Sequence, residues 1–282
     1  LNVFNSAMAS TTYRYIAFEL GKGTKGQPQK AFNVSFAIHV FFALFIIILG
    51  VTLGEWYINN YLNVTAGKLP DAKFVFRVSI ATTSLATLLV PYQGLLVAFE
   101  KFSVTAFIEI FSQLSKLAAI LFLLQTSQNQ LRLYSLIMMG TTLIGCLLYF
   151  LYSLRHYMPI IRLRIYKDVK LYKEMISFAF WTFFGAIANV GKTQGSAIII
   201  NLFFGTVVNA AFAVACQAEN FILTFARTLN NAAIPQITKN LSGGNSGRSI
   251  KLTSYISKYT FLLMSLVAFP VILEMNFLLD FW

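Results

Sequence analysis

The chain has 282 residues, of which 57% are hydrophobic, 16% are aromatic and 11% are charged. A soluble domain carries roughly 25% charged residues, so this composition excludes an ordinary water-soluble fold and indicates an integral membrane protein. The formal net charge of +12 fits membrane topology and contact with acidic headgroups, and no soluble basic domain is present that would bind nucleic acid.

Eight helical spans are predicted in chain order, because crossing a bilayer takes roughly 20 apolar residues. Their approximate ranges are 1–20, 32–53, 75–98, 103–125, 131–153, 175–204, 206–233 and 250–273. The first is the most polar of them. The chain begins and ends within such patterns, so we expect further helices of the same protein beyond both ends. The fragment alone, without them, is predicted not to transport.

Basic residues are divided unequally between the two sets of loops. The richer set holds Lys22, Lys25, Lys30, Lys101, Arg155, Arg162, Arg164, Lys167, Lys170, Lys173, Lys239, Arg248 and Lys251. The opposite set holds Lys68, Lys73, Arg77 and Arg132. Because basic loops remain on the cytoplasmic side, the richer set is predicted to be cytoplasmic.

The longest cytoplasmic connection is the basic segment 154–174. It is predicted to link an N-terminal lobe, residues 1–153, to a partial C-terminal lobe, residues 175–282. A similarity between two segments of the chain, called the internal echo below, favours this division. A polar helix leads into LGKG at 20–23 and another into LSGG at 241–244, each followed by a basic loop and a hydrophobic span. Internal repeats are common in transporters.

Three of the predicted helices carry a stripe of polar or small residues spaced by three or four positions, which places each set on one helix face. The stripes are Asn2, Ser6, Ser10 and Arg14; Thr182, Gly185, Asn189, Lys192 and Ser196; and Asn209, Ala213, Cys216, Asn220, Thr224, Arg227 and Asn231. Lipid cannot hydrogen-bond to these groups. The stripes are therefore predicted to face other protein or a water-filled cavity.

Each stripe contains a cation, namely Arg14, Lys192 or Arg227. A charge at membrane depth is costly unless it is solvated or paired, so we expect a positively charged cavity that accepts an anionic cargo. Guanidinium groups bind phosphate through two parallel hydrogen bonds, and lysine adds a mobile charge. The alternative for Arg14 and Arg227 is that their side chains extend to the cytoplasmic interface.

Four other residues within the spans have two interpretations each. Glu109 and Lys116 are either cavity or gating charges, or each pairs with a neighbouring helix. Glu219 is either a proton or sodium site, or the partner that neutralises a cation such as Lys192. His39 is either protonated during the transport cycle or forms an inter-helix hydrogen bond.

Three segments resemble the polysaccharide-type members of the multidrug/oligosaccharidyl-lipid/polysaccharide exporter superfamily. They are LNVFNSAMASTTYRYIAFELGKG, GKTQGSAIIINLFFGTVVNAAFAVACQ and NNAAIPQITKNLSGG. The resemblance implies a two-lobed, all-α fold of the multidrug-exporter (MATE) type, with six helices in each lobe around a central cavity. The first two helices of each lobe line that cavity. The chain would then run from the second helix to about the ninth, and the three stripes would lie on helices two, seven and eight.

The resemblance further implies a flippase of the bacterial inner membrane that moves undecaprenyl-diphosphate-linked oligosaccharide repeat units for O-antigen or capsule synthesis. Asn189, Gln194 and Asn220 would contact sugar hydroxyls, beside the phosphate-binding cations. Other polysaccharide-assembly proteins are expected as partners. No ATP-binding motif is present, so a proton or sodium gradient, the membrane potential or product removal is expected to supply the energy.

Two alternatives remain open. A drug/cation antiporter of the same superfamily would need a dominant carboxylate in its cavity, whereas the stripes offer cations. A membrane polysaccharide polymerase or ligase would need catalytic groups on an outer loop. The largest such loop, about 54–74, has no histidine. No catalytic triad, metal-ligand spacing or phosphate-binding glycine loop is present, so we expect neither an enzyme nor a cofactor.

Overall fold

A computed structural model of the chain describes residues 2–60, 68–123 and 129–277, and side chains from residue 5 onwards. Within these ranges the structure is helical and contains no strand. The helices are α1 (Asn2–Gly21), α2 (Pro28–Leu49), α3 (Glu55–Asn60), α4 (Leu69–Ala98), α5 (Phe102–Leu123), α6 (Gln130–Ile161), α7 (Val169–Ser242) and α8 (Ser246–Leu273). A π-helical turn at Gly50–Gly54 joins α2 to α3. Residue 1 and the last two residues of the predicted 103–125 span lie outside the described ranges.

Six helical segments of the described chain are long and apolar enough to cross a membrane. They are Pro28–Asn60, Leu69–Ala98, Phe102–Leu123, Gln130–Ile161, Val169–Ser242 and Ser246–Leu273. The all-helical architecture predicted from the composition is confirmed, and the long apolar helices are consistent with an all-α membrane protein. The polar helix α1 is not one of the six segments, and the count of eight spans stays a prediction.

Helix α7 is 74 residues long and is interrupted at Gly205, where φ is 81° and ψ is −177°. Glycine has no Cβ and adopts this positive φ without strain. The two predicted spans 175–204 and 206–233 meet at the same residue. At 1.5 Å per residue, the segments on either side of Gly205 are each about 54 Å long, more than a hydrocarbon core of about 30 Å requires.

The chain forms two compact units. Unit 1 comprises Leu1–Ile16 and Gln27–Phe178, and unit 2 comprises Ala17–Gly26 and Ala179–Trp282. The boundary thus falls within α1 and within α7. The predicted lobes 1–153 and 175–282, with their linker 154–174, stay a prediction.

In unit 1, α4 packs against α2 and α6, and α1 contacts α2 and α4. Phe32 and Leu95 are fully buried there. The Thr12 hydroxyl on α1 hydrogen-bonds to the Ser35 hydroxyl on α2, with 2.7 Å between the oxygens. Gly94 on α4 lies so close to α1 that an added Cβ would be 2.6 Å from Cγ2 of Thr12. The absence of a side chain at Gly94 therefore allows the two helices to touch.

The first turns of α2 hold the connection between α6 and α7. The Asn33 amide donates to the carbonyl of Arg162 (3.1 Å), and its Oδ1 accepts from the backbone N–H of Arg164 (2.9 Å). The Lys30 ammonium pairs with the carboxylate of Asp168 at 2.6 Å. Asp168 also accepts from the Leu171 N–H (3.1 Å), as an N-cap of α7 does. The Lys30 hydrogen bond, followed by these backbone bonds, lowers the pKa of Asp168.

In unit 2 the two segments of the internal echo touch. Gly21 packs against Lys239 and Ser242 with no room for a Cβ. A Cβ on Gly243 would lie 2.9 Å from the carbonyl oxygen of Gly21. The start of α8 is held nearby, because the Ser249 hydroxyl donates to the Ile237 carbonyl at 3.1 Å. Gly21 of LGKG and Gly243 of LSGG therefore allow a close backbone approach.

We predict that Gly94→Ala destabilises the protein by about 1–3 kcal/mol, because the new methyl group forces α1 away from α4. Thermal unfolding in detergent measures this. Gly140→Ala on α6 is the matched control, since nothing lies within 4 Å of its added Cβ, and it should unfold at or above the parent temperature. Equal unfolding temperatures for the two variants would contradict the close packing.

We predict that Asp168→Asn, which keeps an N-cap but removes the charge, destabilises the protein at neutral pH. The lowered pKa means that the ion pair contributes fully above the unfolded-state pKa of about 3.9 and is lost as the pH falls through the folded-state value. The difference in unfolding temperature from the parent should therefore shrink below about pH 4. Lys30→Gln should behave in the same way. A difference that is constant with pH would contradict the role of this pair.

Candidate functional site

The predicted site residues fall into separate parts of the structure. Asn189, Lys192, Gln194, Glu219, Asn220 and Arg227 lie on the part of α7 that belongs to unit 2. Unit 1 holds Arg14 on α1, His39 on α2, and Glu109 and Lys116 on α5. Glu109 and Lys116 line one cavity, and none of the other predicted site residues lines it.

The stripe on the second half of α7 contains a ladder of side-chain hydrogen bonds to the backbone. The Asn220 amide donates to the Cys216 carbonyl, the Thr224 hydroxyl to the Asn220 carbonyl, and the Thr228 hydroxyl to the Thr224 carbonyl, each at 2.8 Å. On the first half, the Thr193 hydroxyl donates to the Asn189 carbonyl at 3.2 Å. Such bonds satisfy polar donors inside a single helix.

Because of this ladder, the Thr and Asn residues that take part in it are weaker evidence for a water-filled cavity than the cations are. A Thr or Asn that bonds to the carbonyl one turn earlier is tolerated on an apolar helix without water. A lysine or arginine cannot be satisfied in this way, because its charge needs water or a counter-ion. Lys192 and Arg227 are therefore the residues of these two stripes with the strongest need for a polar environment outside their own helix.

Three charged candidate residues of unit 2 are exposed in the described chain. Lys192, Glu219 and Arg227 each have an exposed side chain. No ion pair found within the described ranges involves any of the three. The interpretation of Glu219 as the partner of Lys192 thus has no contact to support it and stays a prediction. Asn189, Gln194 and Asn220 are also exposed.

Arg14 contacts an aromatic side chain at the start of α7. Its guanidinium carbon lies 4.3 Å from the centre of the Phe178 ring, a cation–π contact, and Tyr15 meets the same ring edge-on at 6.3 Å. The exposed Ser6 and Arg14 lie away from the buried face of α1, which includes Thr11 and Ile16. The side chain of Asn2, the first residue of this predicted stripe, lies outside the described residues.

A cavity of about 280 Å³ lies among α4, α5 and α6 of unit 1. Glu109 and Lys116 both line it, together with Thr82, Leu89, Gln93, Ser112, Gln113, Met138, Thr141, Thr142, Gly145 and Tyr149. The Tyr149 hydroxyl donates to Oε1 of Glu109 at 3.1 Å. No ion pair joins Glu109 to Lys116 within the described chain. Seven residues span about 10 Å of helix, so a direct contact would need both side chains to extend.

The lining of this cavity is mixed: apolar groups such as Leu89 and Met138 lie beside the amides of Gln93 and Gln113 and several hydroxyl oxygens. The hydroxyl groups of Thr82, Thr141 and Thr142 donate to carbonyls of their own helices at 2.8, 3.1 and 2.9 Å. Each hydroxyl proton is thus already used, and the oxygen offers lone pairs. With the Glu109 carboxylate added, the cavity suits a donor or a cation, and Lys116 is a resident cation within it.

His39 is fully buried, and its contact differs in kind from the predicted inter-helix bond. Its Nδ1 lies 2.7 Å from the Ser35 carbonyl oxygen, one turn earlier in the same helix. The inter-helix bond is made by Ser35 itself, whose hydroxyl contacts Thr12. Nε2 of His39 has no hydrogen-bond partner among the described residues.

Several partners of the candidate residues were missed by sequence reasoning. Tyr149 on α6 and Phe178 on α7 are distant in sequence from Glu109 and Arg14, and no spacing rule connects them. Asp168 could have been found, because it directly precedes a helix and is one of two acidic residues in the strongly basic segment 154–174. Asn33 and Gln29 gave no signal, since their partner is a backbone carbonyl.

Comparisons with known protein families, curated proteins and solved structures found no match to this chain. The class of the protein therefore rests on its fold and site. In residues 2–60, 68–123 and 129–277 the chain is helical and has six segments long and apolar enough to cross a membrane, with exposed cations on the longest of them.

We predict that Tyr149→Phe lowers the free energy of unfolding by about 0.5–1.5 kcal/mol, the net value of one hydrogen bond. In a double-mutant cycle, Tyr149→Phe and Glu109→Ala should be non-additive, because each removes the same contact. Unfolding in detergent measures the four free energies. Tyr134→Phe, on an exposed tyrosine of the same helix, is the control and should be additive with Glu109→Ala. Additivity of both pairs would show that the Glu109–Tyr149 bond contributes nothing.

Proposed function

We propose that the protein is a flippase of the bacterial inner membrane that translocates undecaprenyl-diphosphate-linked oligosaccharide repeat units for surface polysaccharide synthesis. The observation that carries the proposal is the pair of exposed, unpaired cations, Lys192 and Arg227, on the apolar helix α7 within the described chain. Charges in such a helix have a functional partner as a rule, and a phosphate-bearing cargo is an anionic partner for either cation.

The polar residues beside these cations fit the oligosaccharide part of the proposed substrate. Asn189, Gln194 and Asn220 are exposed on the same helix, and amide groups both donate to and accept from sugar hydroxyls. The back-bonded threonines leave acceptor oxygens for further hydroxyl donors. A polar surface without fixed charge pairs suits a cargo that must be released on the other side.

The proposed transport is driven by a proton or sodium gradient. Candidates for the coupling group are Glu109 with Lys116 in the unit 1 cavity, Glu219 on α7, and the buried His39. The Tyr149–Glu109 hydrogen bond favours the cavity, because the Glu109 carboxylate and the nearby hydroxyl oxygens are potential ligands for a proton or a sodium ion. In the cell, other polysaccharide-assembly proteins are the expected partners.

The same cavity favours a second candidate function, a drug/cation antiporter of the same superfamily. Its Glu109 supplies the carboxylate that such an activity needs. This candidate predicts that expression in a drug-sensitive strain raises resistance to cationic compounds, and that Glu109→Gln removes the effect. Unchanged drug sensitivity combined with rescue of surface polysaccharide would exclude the antiporter.

The flippase proposal predicts that the complete gene encoding this chain restores surface polysaccharide to a strain that lacks its own flippase. Lys192→Gln and Arg227→Gln should each lower transfer roughly tenfold or more, because each removes charge-assisted hydrogen bonds to phosphate. Radiolabelled repeat units that accumulate on the cytoplasmic side would measure the loss of flipping.

Lys68→Gln combined with Lys73→Gln is the matched control for the double variant, since it removes two lysines from the predicted outer side. It should rescue as well as the parent. Equal rescue by the Lys192→Gln/Arg227→Gln double variant would overturn the cationic path.

A further inference from the structure

The connection between α6 and α7 presents apolar and basic side chains side by side. Residues 162–168 form neither helix nor strand. Ile165 is 94% exposed and Leu163 is 65% exposed, and Val169 at the start of α7 is 76% exposed. The basic side chains of Arg162, Arg164, Lys167 and Lys170 are exposed as well. We call residues 162–170 the tethered segment.

The tethered segment is fixed at both ends by α2. Near its start, the Arg162 carbonyl accepts from both the Gln29 and the Asn33 amides at 3.1 Å. Near its end, Asp168 pairs with Lys30 at 2.6 Å. The backbone that carries the exposed apolar residues is thus fixed at both ends. A partner that binds them therefore avoids the entropic cost of ordering a loop.

The ion pair also sets the charge of the segment. Asp168 is its acidic residue, and Lys30 neutralises it. The four exposed basic residues are therefore left without compensation within the segment. Exposed aliphatic side chains beside uncompensated positive charge match an acidic lipid surface, where the apolar groups enter the acyl boundary and the charges meet phosphates.

We propose that the tethered segment is a docking surface for the acidic phospholipids of the leaflet next to it. Leu163 and Ile165 enter the boundary of the acyl chains, and Arg162, Arg164 and Lys167 bind the headgroup phosphates. The lipid anchors the start of α7, the helix that carries Lys192 and Arg227. The inference depends on membrane insertion and not on the cargo, so it stands or falls separately from the flippase proposal.

The first test measures the depth of residue 165. The full chain, with Cys146→Ala and Cys216→Ala, carries a spin label at Ile165→Cys in nanodiscs made with or without phosphatidylglycerol. We expect the label to be accessible to oxygen and shielded from a water-soluble nickel complex, more strongly in the acidic bilayer. A label at Asn245→Cys, in the exposed turn before α8, is the control and should stay water-accessible. A water-accessible label at residue 165 in both bilayers would overturn the proposal.

The second test measures lipid selectivity and needs no labelled loop. Competition between spin-labelled phosphatidylglycerol and phosphatidylcholine around the protein gives their relative association. Substituting Arg162→Gln, Arg164→Gln and Lys167→Gln should reduce the preference for phosphatidylglycerol roughly fivefold per residue. The control substitutes Lys25→Gln, Arg248→Gln and Lys251→Gln and should leave the preference largely intact. An equal loss in both triple variants would show general charge attraction and overturn a specific surface.

Discussion

A lysine or arginine on an apolar helix needs water or a counter-ion, and the backbone of its own helix supplies neither. The proposed function of the chain depends on this constraint. Threonine and asparagine side chains on α7 bond back to their own carbonyls, as the ladder from Cys216 to Thr228 shows. Lys192 and Arg227 have no such option. The cations are therefore the most informative members of the polar stripe, whereas Asn220 and Thr224 bond back to their own helix.

The candidate charged groups have different surroundings in the two units, although unit 2 also contains an ion pair, between Glu19 and Lys22 at 2.6 Å. In unit 1, Lys30 and Asp168 form an ion pair, Arg14 stacks on Phe178, and Glu109 accepts from Tyr149. In unit 2, Lys192, Glu219 and Arg227 are exposed without an ion pair among the described residues. Paired charges hold helices together, whereas unpaired ones remain available to a ligand. The proposed substrate path accordingly relies on unit 2, and the proposed coupling cavity on unit 1.

The predictable part of the fold came mainly from the hydropathy pattern and from the position of Gly205. The apolar runs correspond to α2, α4, α5, α6 and α8, and the break between 204 and 206 is a positive-φ glycine. The close contact of Gly21 in LGKG with the LSGG segment was not predicted, because the similarity of the two segments indicated a repeat and not a contact. Long-range side-chain contacts were not predictable. Tyr149 reaches Glu109, and Asn33 holds the Arg162 carbonyl, only because tertiary packing brings them together.

The central claim is that Lys192 and Arg227 face water inside the membrane rather than lipid. In a background of Cys146→Ser and Cys216→Ser, Lys192→Cys and Arg227→Cys are treated in intact cells and in inverted vesicles with a membrane-impermeant thiol reagent. Ile198→Cys, an exposed apolar position of the same helix, is the reference for lipid contact. The account predicts rapid labelling at 192 and 227, slowed by added pyrophosphate, and little labelling at 198. Labelling at 192 and 227 as slow as at 198 would contradict it.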